Sequence, residues 1–183
     1  MSKDFSADHL DIKAFAVSGA TLTGTDPLSR FPRLAQEAEG AIDGLQVHWS
    51  AEGEVQVESG GARHIWLHLQ VDADLPLTCQ RCLQVDAMPL QVDRSFRFVA
   101  DEATAEALDD EVEEDLLALS RDFDLYQLIE DELLMEMPLV PRHDVCPQEL
   151  PMEARSDDFE QASAEKPNPF AVLQSLRKNG APE

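Results

Sequence analysis

Ile65-Trp-Leu-His-Leu-Gln-Val71, carried on by Leu75, Leu77 and Cys79, decides the fold. Apolar side chains fall on every second residue and polar ones between them, the period of a strand with one buried and one wet face. The same pattern flanks it. Leu45, Val47 and Trp49 alternate with Gln46 and His48, and Val55 and Val57 follow Glu52-Gly53, read as a turn. Beyond Cys82, Leu83 and Val85 resume the apolar phase, and Leu90, Val92, Phe96 and Phe98 share an even phase. Runs of this kind predict an antiparallel meander. Pro76 and Pro89 call for local edges or bulges, because proline cannot donate to a ladder.

Helices are expected before and after the sheet in the chain, covering its apolar face. Asp26 can cap a helix ending at Gly40, with Pro27 in its first turn and Leu28, Phe31, Leu34 and Ala38 on one face. Asp124 and Gln127 have the spacing of a capping box. Behind them Tyr126, Ile129, Leu133 and Met137 form a stripe that Leu125, Leu128 and Leu134 widen, with Glu130, Asp131 and Glu136 turned away, and Pro138 stops the helix. Between sheet and helix, residues 101–136 hold 15 acids against one base, Arg121. Their first part, to Asp115, reads as a solvated loop, and Leu116, Leu117 and Leu119 as a short strand. The expected fold class is α+β: a curved antiparallel β-sheet, barrel-like if it closes, packed with helices near residues 27–39 and 124–137.

The division expected is a core domain over residues 1–147, an acidic linker over 148–166 and a C-terminal docking helix and tail over 167–183. In the last segment Asn168 caps, Pro169 opens the helix, and Phe170, Leu173 and Leu176 project from one side. Together with Pro167 these are the expected partner-binding residues.

Charge is the outlier of composition. The 183 residues include 37 acids and 14 bases, a net of -23, while 43% are hydrophobic, enough for a globular core. A surface of that sign repels phosphate backbones and favours a basic partner. No segment approaches the roughly 20 apolar residues of a membrane span, and the N-terminus lacks a signal peptide's apolar core. A cytoplasmic protein without membrane partner or small-molecule substrate is the expectation.

Cys79-Gln-Arg-Cys82 and His143-x-x-Cys146 contain all three cysteines and one histidine. Thiolates and a neutral imidazole are zinc ligands, and a C-x-x-C turn offers two from one bend. Zinc is therefore the candidate cofactor, with Cys79, Cys82, His143 and Cys146 as ligands. The alternatives are burial of the thiols as small apolar groups, or thiol redox chemistry, which wants a helix N-terminus that strand-like flanks do not give. His9, His48, His64 and His68 are scattered, and no G-x-S-x-G, P-loop or H-E-x-x-H occurs, so no catalytic set emerges. Arg81, Arg94 and Arg97, with Phe96 and Phe98 between and beside them, are the candidate RNA contact.

Three blocks carry a resemblance: Leu77-Thr-Cys-Gln-Arg-Cys-Leu83; Phe123-Asp-Leu-Tyr-Gln-Leu-Ile-Glu-Asp-Glu-Leu-Leu134 running into Met137-Pro-Leu-Val-Pro-Arg-His-Asp144; and Lys166-Pro-Asn-Pro-Phe-Ala-Val-Leu173. In this order they resemble the bacterial YceD family of large ribosomal RNA subunit accumulation proteins. The resemblance implies a cytoplasmic, non-enzymatic factor needed for 23S rRNA accumulation and large-subunit assembly. It carries over no catalytic residue. The matching positions are Cys79, Cys82, Pro138, Pro141, His143, Pro167, Asn168, Pro169 and Phe170. Joined to the charge, it implies an acidic adaptor for a basic ribosomal protein or assembly factor. The competing readings are direct rRNA binding through Arg81, Arg94 and Arg97, and a thiol- or zinc-dependent enzyme.

Overall fold

The computed structural model describes residues 5–147. The linker and docking helix expected over 148–166 and 167–183 lie outside them. The sheet has five strands in the order of the chain: β1 (Thr21–Pro27), β2 (Gln46–Val57), β3 (Arg63–Thr78), β4 (Val85–Val99) and β5 (Asp115–Ala118). The first four form the antiparallel meander. β5 joins β4 in parallel, so the sheet is mixed, and β1 and β5 leave it open rather than closed as a barrel. Among the described residues four helices accompany it: α1 (Ile12–Ser18), α2 (Pro32–Glu37), α3 (Glu102–Leu108) and α4 (Leu125–Glu136). The architecture is α+β with a curved sheet.

The alternation read from sequence is the alternation of burial. Val47, Trp49 and Ala51 of β2, Leu67, Leu69, Val71, Leu75 and Leu77 of β3, and Leu90, Val92, Phe96 and Phe98 of β4 fill the core together with Phe15, Leu34, Ile129 and Leu133. Leu83 and Val85 do not resume that phase; both are exposed. Gly53 is not in a turn but in the middle of one unbroken strand. Its place follows from packing, since a Cβ there would lie 2.6 Å from the Phe15 ring and 2.8 Å from Ala16 Cα of α1. The turn comes later, at Gly60 and Gly61, the latter with φ 83°.

The helix expected from Asp26 to Gly40 is shorter and starts later. Asp26 belongs to β1, where its carboxylate accepts from Trp49 Nε1 at 2.8 Å. One turn of 3₁₀-helix over Leu28–Arg30 then leads into α2. No side chain of its own caps α2. Glu130 of α4 does so: its carboxylate accepts from the Arg33 backbone N–H at 2.7 Å, from Leu34 N–H at 3.3 Å and from Arg33 Nε at 2.8 Å. Glu130 is therefore buried, contrary to its expected outward position. α4 itself starts as read, with Asp124 accepting from Gln127 N–H at 3.1 Å.

Three elements were not anticipated, β1, α1 and α3. α1 is capped by Asp11, accepting from Ala14 N–H at 3.0 Å, and ends at Gly19, φ 59°. Within the stretch read as a loop, Asp101 caps α3 through Thr104 N–H at 2.8 Å, and alanines favour the helix despite one buried residue, Ala105. Both prolines meet the expectation of local edges. β2 pairs with β3 only up to Ala73, and β5 reaches only Phe96 to Val99 of β4. Residues 74–78 and 85–89 thus form a two-stranded ribbon, whose outer side receives Glu39 N–H at the Pro76 carbonyl, 2.8 Å. Among the described residues no helix is long and apolar enough to cross a membrane.

Candidate metal centre

The ribbon ends in the turn from Cys79 to Gln84. It is closed by Cys79 N–H to the Gln84 carbonyl (2.9 Å) and Leu83 N–H to the Cys79 carbonyl (2.8 Å). Leu83 takes the left-handed conformation, φ 60°. The second half of the site arrives from α4. Pro138 ends that helix, the chain bends at Leu139 and Val140 where an extended run was expected, and the Pro141 carbonyl accepts from Gln80 N–H at 2.8 Å. This bond sets His143 and Cys146 against the turn.

The four side chains named from sequence therefore converge. Their ligand atoms all lie within 4.8 Å of one another. Cys79 Sγ is 3.9 Å from Cys146 Sγ, Cys82 Sγ is 3.3 Å from His143 Nδ1, and Cys146 Sγ is 4.0 Å from His143 Nδ1. Zinc–sulfur bonds of about 2.3 Å at tetrahedral angles separate ligand sulfurs by about 3.8 Å, so these spacings fit. Three sulfurs and one imidazole nitrogen form a set that can hold a metal ion.

The surroundings support the charge such a set would carry. Burial pushes the Cys79 thiol up, but backbone N–H groups of His143, Cys82 and Arg81 outweigh it and bring the pKa down to about 5. Its resting form at neutral pH is the thiolate. Burial and the neighbouring sulfurs raise Cys82 instead, so the adjacent thiols do not ionise alike. Arg81 Nε donates to Cys146 Sγ at 3.0 Å, and its Nη2 donates to the His143 carbonyl at 3.0 Å. On the far side of the imidazole, His143 Nε2 stands 3.4 Å from Asp86 Oδ2, the place of a carboxylate that orients a ligating histidine. Sequence reading missed Asp86. It also gave Arg81 to RNA, although its place inside C-x-x-C was a usable sign.

The three arginines do not form one patch. Arg81 is at the ribbon tip and committed to the sulfur site. Arg94 lies on the helix-covered face, with Nη2 3.1 Å from Asp115 and Nε 3.6 Å from the buried Glu132. Arg97, three residues on, points to the opposite face. Pro167, Asn168, Pro169, Phe170, Leu173 and Leu176 lie outside the described residues.

Residues 67–177 match the family described as Large ribosomal RNA subunit accumulation protein YceD. The Large ribosomal RNA subunit accumulation protein YceD of Haemophilus influenzae is 32% identical over 155 residues, 82% of this chain and 83% of its own length. No solved structure matches. The match spans both halves of the sulfur–imidazole site and all three sequence blocks, and the chain belongs to the YceD family.

Proposed function

We propose that this chain is a cytoplasmic, non-enzymatic factor in large ribosomal RNA accumulation and large-subunit biogenesis, acting as an acidic adaptor for a basic ribosomal protein or assembly factor. The relative's name supports the pathway. The single observation behind the mode of action is the convergence of Cys79, Cys82, His143 and Cys146 at the end of the two-stranded ribbon. Four protein ligands fill a tetrahedron and leave no open position, which suits a structural zinc rather than a catalytic one. Zinc held there would supply a cross-link between the β3–β4 turn and the segment after α4.

That cross-link would hold together an apolar tip. Eight large apolar side chains are exposed among the described residues, and five of them, Leu83, Val85, Leu139, Val140 and Val145, sit on the two segments the site joins. A rigid apolar tip on a body of charge -23 suits a basic partner with an apolar recess. Phe170, Leu173 and Leu176 would add anchors from the tail.

The test is complementation. Cells lacking the protein should show a lowered ratio of large- to small-subunit rRNA, restored by the full chain. A variant with Leu83→Ser and Leu139→Ser should restore it poorly while keeping its metal. A chain cut after Glu165 should stay folded and also restore it poorly. Full restoration by both would remove the adaptor reading while leaving the pathway untouched.

A further inference from the structure

A second site lies at the other end of the sheet, away from the sulfur cluster. Between α1, α3 and the ends of β2, β3 and β4 is a cavity of about 570 Å³, within the size range of small-ligand pockets. Its walls include the apolar Val17, Phe98 and Leu108, and three cations line it: Lys13, Arg63 and Arg97.

In this chain such a gathering is unexpected. Acids outnumber bases 37 to 14, yet besides the cavity's three cations only Arg121 and Arg142 of the described bases lack an ion pair or a sulfur contact. Arg30, Arg33 and Arg94 take carboxylates, and Arg81 takes a sulfur. Among the described residues Lys13, Arg63 and Arg97 have no acidic partner, and Arg97 Nε is buried without any acceptor. Two acids are engaged by lining residues of the cavity, Thr104 and His64. Asp101 accepts from Thr104 N–H and hydroxyl. Glu58 Oε1 stands 3.1 Å from His64 Nε2, an ion-pair distance without hydrogen-bond alignment. Three unpaired donors around an apolar cavity lack one thing, an anion attached to an apolar body.

The overall charge limits the size of that anion's charge. Repulsion from a molecule of net -23 grows with each negative charge a ligand brings, whereas the local cations need only one shared acceptor. We propose that this pocket binds an amphiphilic monocarboxylate, its apolar body among Val17, Phe98 and Leu108 and its carboxylate at Arg63, within a lining that also includes Lys13 and Arg97. This ligand is bound, not transformed, and the inference is independent of the adaptor role.

The experiment uses the full chain, with backbone amide resonances followed by NMR during titration with sodium octanoate, octanol or octylamine. Octanoate should shift the amides of Val17, Ile65, Phe98 and Leu119, with the alcohol weaker by about tenfold and the amine silent. Arg63→Gln, at an exposed position, should weaken octanoate by about tenfold and leave octanol unchanged. Arg142→Gln, which removes a charge near the metal centre, should alter neither. Arg97→Gln provides a second variant if its spectrum remains folded. No shift at these amides, equal affinity for acid and alcohol, or equal losses in the Arg63 and Arg142 variants would each overturn the proposal.

Discussion

Glu130 and Glu132 lie two residues apart on α4, both buried, and electrostatics separates them. Glu130 faces the first turn of α2 and satisfies N–H groups that have no partner within their helix. Glu130→Ala should therefore cost about 2–4 kcal/mol in denaturant unfolding, because it strands those backbone donors, while the Arg33 guanidinium keeps Asp131. A loss below about 0.5 kcal/mol would mean that water replaces the carboxylate freely. Glu132 has only Arg94 at 3.6 Å. Its burial raises its pKa above the ordinary glutamate value of 4.5, Arg94 works against this, and Asp115, Asp131 and Glu136 push it further up. A carboxyl that holds its proton more tightly when folded favours the fold while protonated, and that contribution is lost as pH rises through the folded pKa. Glu132→Gln should thus be more stable than the parent at pH 7 and lose the advantage below about pH 4. Thermal melts of both proteins across pH 3–8 would check the crossover. The partner of Glu130 was beyond sequence reading, since Arg33 lies 97 residues away and helical spacing alone put the acid on the outside.

At the scale of elements, period two made β2, β3 and β4 legible because each buries one face only. α1 had usable signals, with Asp11, Ile12, Phe15, Ala16 and Gly19 at cap, face and stop, but its seven residues are too few for periodicity to stand out. β1 offered none, as Thr21-Leu-Thr-Gly-Thr-Asp-Pro27 has one large apolar residue. Gly24 there is set by Trp49 across the ladder, whose ring would meet a Cβ at 2.4 Å. Similarly Gly53 lets α1 approach β2. Gly53→Ala should destabilise by roughly 2 kcal/mol, because the obstacle includes Ala16 backbone rather than a movable chain end. Equal unfolding midpoints for variant and parent would show that α1 can simply lift. The ribbon tip makes a different prediction. Protein purified without chelator should carry about one zinc per chain. Cys146→Ser should lose it, with faster amide exchange confined to the Cys79–Gln84 turn and the segment after Pro138. Of the turn from Cys79 to Gln84 only Cys79 is buried, so the main melting transition should barely move. Less than about a tenth of an equivalent of metal would remove the zinc reading. The ligands were nameable from sequence because the cysteines are few; their meeting depended on the Gln80–Pro141 bond, which no spacing encodes.

For the whole molecule the deciding quantity is net charge, -23 on 183 residues. Binding of a nucleic-acid backbone requires several arginines or lysines arranged along one track. Here Arg94 is neutralised by Asp115 and Glu132, Arg81 is held by Cys146, and Arg97 points to the other face. These three arginines form no such track. Naked ribosomal RNA should consequently fail to retain the purified full chain at physiological ionic strength, where the Debye length is about 8 Å and the acidic surface is felt only near contact. Lowering the salt should not rescue binding, since weaker screening extends repulsion as well as attraction. A basic ribosomal protein should behave in the opposite way, with association that strengthens steadily as salt falls. Fluorescence anisotropy with labelled rRNA fragments, and with the basic protein pulled down most strongly from cells, reads both slopes on one instrument. RNA binding that tightens as salt falls would transfer the role from adaptor to direct RNA contact. A protein partner indifferent to salt would mean that the apolar tip, rather than the charge, does the recognising.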